Sequence, residues 1–255
     1  MNWTQYGYRW WLERWKNNNI WIATAREVMV NKLYDSDGVN LVLRHDIDSI
    51  NGKNIEIMAK IEEDQNVRAS YYIIPDKKYR YYKKYKNLFL ELQHRGHEIG
   101  LHVNAIELSH KPWRAREKQD ALQRLDGDIN RLRDDGFNIN TMCAHGFPLR
   151  PTNKDIIAEY KKDLPVGFSD YFSLYQCVLT DSRVRNPRNF KGIQQDTGLV
   201  NISQRNNIFS GEIESGVYYT VIHPESYHFD GVFKTLGHNV RYIEDIEHDE
   251  LNRLA

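Results

Sequence analysis

From Val39 onward the chain alternates short β-type runs with segments of helical period, and this constrains the fold more than any other feature. Residues 41–43 make a strand-like run that leads into a charged cluster at 44–48. Ser49 or Asn51 then caps a segment with Ile55, Met58 and Ile61 on one face. Residues 69–75 form a second expected strand, 88–93 belong to a helix that Gly96 breaks, and 97–103 form a third strand. Leu122, Leu125, Ile129 and Leu132 mark one face of a long amphipathic helix that stops at Asp135-Gly136. A strand over 140–145, a helix over 154–162, and strands at 175–180 and 217–222 follow, while 183–216 carries no decisive pattern. Repeated β-then-α units joined by short turns predict a parallel sheet, open or closed into a barrel.

The 255 residues suffice for one barrel-sized α/β domain. Lys+Arg and Asp+Glu both total 35, so no global charge steers the chain towards nucleic acid, which is not an expected partner. No apolar run approaches the roughly 20 residues that span a bilayer. The first residues lack a secretory pattern, and Cys143 and Cys177 make no disulfide framework, so a cytoplasmic location is expected. Tyr8, Trp11, Leu12 and Trp15 share a helical face. That face implies a helical extension over 1–38, packed on a main domain over 39–255 or lying on a membrane surface as a peripheral contact.

Alternation on a strand sends Arg44, Asp46 and Asp48 one way and His45 and Ile47 the other. Two neighbouring carboxylates disfavour each other's ionised form unless a cation sits with them, and either Arg44 or a divalent metal serves. Glu98, Gly100 and His102 share a face of the third strand, with His102 at its C-terminal end, where α/β folds place function. Gly100 is expected to leave room beneath His102. His145 ends the next strand, so Asp48, His102 and His145 make a three-ligand set with positions open for water and substrate. Cys143 shares the His145 face and is an alternative ligand, or simply a small buried residue. His223, at the end of the last expected strand, is suited to give a proton near neutral pH. The run at 77–86, KKYRYYKKYK, is expected as a loop that holds a phosphate and stacks on a sugar or base, or as a solvated loop.

Taken together, these segments resemble the polysaccharide deacetylase superfamily over roughly residues 40–225. In that family an Asp-x-Asp motif supplies a catalytic base and then a metal ligand, roles that the resemblance gives to Asp46 and Asp48. Gly96-His97-Glu98-Ile99-Gly100-Leu101-His102 matches the segment that brings the first metal histidine, and Val221-Ile222-His223 resembles the motif of the proton donor. Asp181 corresponds to an acidic residue that orients that donor, and Asn104 is a further substrate-orienting candidate. The common family has its second metal histidine four residues after the first, where this chain has Ile106. His145 takes that place, as in relatives with His-Asp-x-Asp and His-Gly motifs, with Glu107 as the fallback.

The resemblance implies a distorted (β/α) barrel of seven strands and one divalent metal ion, zinc. It also implies hydrolysis of an N-acyl group, N-acetyl first, from an amino sugar on a small or lipid-linked carrier. Such a reaction belongs to surface-polysaccharide or lipopolysaccharide synthesis. A deformylase or other amidase on the same scaffold, and a sugar-binding relative without activity, are the competing expectations.

Overall fold

The computed structural model describes residues 5–31, 37–48, 52–75, 81–106, 115–145, 153–160, 176–180 and 216–224. Among them, helix α1 (Gln5–Asn17) leads to β1 (Trp21–Ala23) and the short α2 (Ala25–Val30). Strands β2 (Val39–Val42) and β3 (Arg44–Ile47) precede α3 (Gly52–Asp64), β4 (Ser70–Ile73), α4 (Tyr81–His94) and β5 (Glu98–Val103). After these come α5 (Ala115–Asp134), β6 (Met142–Ala144), α6 (Asn153–Tyr160), β7 (Gln176–Thr180) and β8 (Gly216–Val221). Every described strand pairing is parallel, as crossover connections allow.

β2 and β3 act as one strand bent at Leu43. β8 follows one flank in a single register, from Val39 opposite Gly216 to His45 opposite Ile222. On the other flank β1 covers the first half and β4 the second. Leu43 joins the two halves, donating its N–H to Ala23 O (3.2 Å) and accepting from Ser70 N–H (2.8 Å). β5 and β6 extend the sheet beyond β4, and β7 extends it beyond β8. The result is a mixed α/β fold around a curled parallel sheet, with the C-terminal strand ends gathered at one rim.

The segment before residue 39, expected as purely helical, places β1 in the sheet. Three residues are too few to carry a period of two. In α1, Tyr8, Leu12 and Trp15 are buried, and the helix packs on α3, so this face meets protein. Among the described residues no helix is long and apolar enough to cross a membrane.

The expected loop at 77–86 needs correction over its second half, because Tyr81 opens α4. Tyr81, Tyr85, Phe89 and Leu92 already follow helical spacing. Tyr81 is buried and donates to Ile47 O (2.5 Å) while accepting from Ile74 N–H (2.9 Å). Tyr82 donates to Asp135 (2.6 Å), which also pairs with Lys86. These rings and charges hold the fold together. Residues 77–80 lie outside the described residues. Gly96 ends α4 at φ 94°, a conformation that favours glycine, and His97 N–H reaches back to Leu92 O (3.1 Å).

Candidate metal centre

The site is assembled at the ends of β3, β5, β6 and β8. On β3 the side chain of Asp46 turns into the curl and that of His45 turns out of it. Arg44 clamps Asp46 with Nε on Oδ1 and Nη2 on Oδ2, both at 2.6 Å. Burial alone would push the Asp46 carboxyl up, but Arg44 first, then His102 and His223, bring it below its ordinary value.

Asp48 sits just beyond β3. Its Oδ1 lies 3.1 Å from His102 Nε2 and 3.1 Å from His145 Nδ1, and those two nitrogens are 3.2 Å apart. His223 Nε2 lies 3.4 Å from the other oxygen, Oδ2. Burial opposes ionisation of Asp48, and the hydrogen bonds of His102, His145 and His223 outweigh it, holding the carboxyl well below its usual range. Three ligand-type atoms at 3.1–3.2 Å separations nearly match the edge of a tetrahedron, about 3.3 Å for ~2.0 Å bonds to zinc. A carboxylate with two imidazoles suits a catalytic metal because such a set leaves coordination positions open.

A second group, Asp46 with His102 and Cys143, also gathers ligand-type atoms. It is the poorer host. Both Asp46 oxygens are committed to Arg44, and an ion there would face that fixed guanidinium charge. Asp46 Oδ2 does reach within 3.6 Å of His102 Nε2, so it lies beside the first group. The donor chemistry of Asp48, His102 and His145 therefore fits a divalent ion.

No family model and no curated protein matches this chain.

Of the other residues singled out in the sequence, Asn104 lies just past β5 and is half-buried. Glu107 and Asp181 lie outside the described residues. The room expected beneath His102 at Gly100 is filled, since a Cβ there would meet the Tyr72 ring at 2.4 Å. Tyr72 in turn lies under Arg44, whose guanidinium carbon is 5.7 Å from the ring centre. A glycine reserved for substrate and a glycine reserved for a tyrosine look alike in sequence.

Three residues that support the site escaped sequence reasoning. Asn153, fully buried at the start of α6, accepts from Ile106 N–H (3.1 Å) and donates to His145 O (3.0 Å). It ties the ends of β5 and β6 together and fixes the backbone that carries His145. Asn54 donates to Pro224 O (3.1 Å), anchoring the His223 segment on α3. Tyr81 pins the ends of β3 and β4. A helix-capping reading of Asn153 was available, since Asn favours the first position of a helix. Pro224, which Asn54 reaches, and Ile47, which Tyr81 reaches, are too far along the chain for any local signal.

Proposed function

We propose that the chain is a metal-dependent hydrolase of the polysaccharide deacetylase type, built on a distorted (β/α) barrel of seven strands. In this reading it removes an N-acetyl or other N-acyl group from an amino sugar. The observation that carries it is the meeting of Asp48, His102 and His145 at 3.1–3.2 Å, with Asp46 and His223 on either side.

Asp48, His102 and His145 would hold one divalent ion, zinc, which when bound polarises the acyl carbonyl and acidifies a water. Asp46, kept ionised and aimed by Arg44, takes the proton of the attacking water. His223 gives a proton to the departing amine. Asn104 orients substrate at the rim, and Asp181 orients His223. A cytoplasmic site of action would bring a nucleotide-activated or lipid-linked amino sugar within reach, during synthesis of surface polysaccharide or lipopolysaccharide.

Elemental analysis of the purified protein should find one metal ion per chain. Acetate release from N-acetylated amino sugars should stop with a chelator and return with zinc. Protein that takes up no zinc would end the metal reading. Protein that takes up zinc but releases no acyl group from amino sugars would end the deacetylase reading.

A further inference from the structure

His102 has two ring nitrogens with different neighbours. Nε2 faces Asp48 and His145, whereas Nδ1 lies 3.1 Å from the Cys143 sulfur. The contact follows from sheet register, because His102 and Cys143 are partners across the parallel β5–β6 pair. Both side chains are buried, at 1% and 0% exposure, so water does not substitute for either.

The same sulfur lies 3.6 Å from Asp46 Oδ1 and donates to it. A thiol has one weak proton to give and a sulfur that accepts weakly. Asp46 is an ionised carboxylate fixed by Arg44, a stronger acceptor than a neutral imidazole nitrogen. The thiol proton therefore goes to Asp46, and the sulfur lone pairs turn to His102 Nδ1. With an ion at the point shared with Asp48 and His145, His102 Nε2 gives up its hydrogen bond to Asp48 and the ring keeps its proton on Nδ1, facing the sulfur.

We propose that Cys143 is a positioning residue that accepts the Nδ1 proton of metal-bound His102 and donates its own to Asp46, orienting one metal ligand and the base together. The proposal rests on the metal reading above, but not on the identity of the acyl substrate. It also gives the sulfur a role other than ligation.

Three proteins test it: the wild type, Cys143→Ala and Cys143→Ser. Zinc affinity is measured by competition with a chelator, and the His102 Nδ1–H hydrogen bond by proton and nitrogen-15 NMR of the zinc-loaded protein. Cys143→Ala should weaken zinc binding about 10- to 100-fold and lose the His102 Nδ1–H hydrogen bond, seen as an upfield shift of that proton. Cys143→Ser keeps a donor and an acceptor in nearly the same place, so it should recover most of both losses. Equal behaviour of the two variants would show that Cys143 only fills space and would overturn the proposal. A sulfur-to-metal charge-transfer band in the cobalt-loaded wild type would overturn it differently, by making Cys143 a ligand. A wild type that binds no zinc would end the metal reading and this proposal with it, whereas zinc binding with equal variants would end this proposal alone.

Discussion

The two faces of β3 each carry a buried network of carboxylates and histidines, yet the networks are built differently. On the outer face, Glu62 is fully buried and accepts from Tyr8 Oη (2.5 Å), His45 Nε2 (2.6 Å) and Tyr71 Oη (2.8 Å). Its neighbour His97 accepts from Ala69 N–H at Nδ1 (3.2 Å) and faces Glu63 with Nε2 (3.1 Å). His45 Nδ1 has no hydrogen-bond partner, so the ring's proton belongs on Nε2, towards Glu62. Both Glu62 oxygens have fixed donors, and solvent has no access. On the inner face, the Asp48 side chain is 30% exposed and its neighbours are imidazoles, whose nitrogens serve as donors or acceptors. Similar residue types therefore make a structural knot on one side and a candidate ion site on the other. The difference lies in whether the lone pairs already have a committed proton.

The comparison is sharpened most by substitutions on the inner face, which should change chemistry while the metal stays bound. Asp46→Asn should lower turnover about 10²- to 10⁴-fold while keeping bound metal, and should also lower the melting temperature because buried Arg44 loses its charge partner. Loss of metal in that variant would exchange the roles of Asp46 and Asp48. His223→Ala should slow amide hydrolysis by a similar about 10²- to 10⁴-fold factor. Its loss on an ester with a phenolate leaving group should be much smaller, because that group departs without a proton. Equal losses on both substrates would remove His223 as the acid.

Outer-face changes should do the reverse. Deleting residues 1–20 strips Tyr8, Leu12 and Trp15 from α3 and takes one donor from Glu62, so stability in denaturant should fall by several kcal/mol. Vesicle binding that vanishes on this deletion, with stability unchanged, would instead favour a membrane role for α1. Glu62→Gln puts an amide where three donors converge and should cost about 3 kcal/mol, with zinc affinity unaltered. A variant that unfolds no more easily but loses zinc would make the outer network part of the site.

The smallest expected effect concerns pH. Burial outweighs the hydrogen bonds of Thr141 and Ser70 at Glu98 and raises its carboxyl above the ordinary 4.5. Glu62 is the opposite case: burial opposes ionisation, but His45 leads the groups that bring it below 4.5. A lowered folded-state value means stabilisation that is present above 4.5 and lost as pH falls through the folded value. A raised value means that the folded state binds the extra proton, so stability declines as pH climbs from 4.5 through the folded value. Glu98→Gln should flatten that decline, and Glu62→Gln should remove the loss at acid pH. Denaturant midpoints measured across pH 3–8 separate the two.

Much of the inner face was legible because it depends on local rules. Strand alternation grouped Arg44 with Asp46, and strand ends marked His102 and His145. The contact of Cys143 with His102 depends on the β5–β6 register, which no single segment encodes. The outer network joins Tyr8, His45, Glu62 and Tyr71 from four elements, and each of them alone reads as ordinary packing. The basic, tyrosine-rich run misled because its charges outweighed its helical spacing. β1 is too short to leave a trace.

The unbroken pairing of β8 with β2 and β3 has a consequence for biosynthesis. His45 meets Ile222, so one flank of the strand that carries Asp46 waits for a segment made much later. At about 5–20 residues per second, translation takes roughly 10–35 s to cover that interval. Until then Asp46 N–H, which pairs with Ile222 O in the finished protein, belongs to an open strand edge. Such an edge is a template for pairing with other chains. A nascent chain halted before Gly216 already holds Asp48, His102 and His145 but lacks the strand that closes this flank. Its exposure to chaperones, and its tendency to aggregate, should be greatest in that interval.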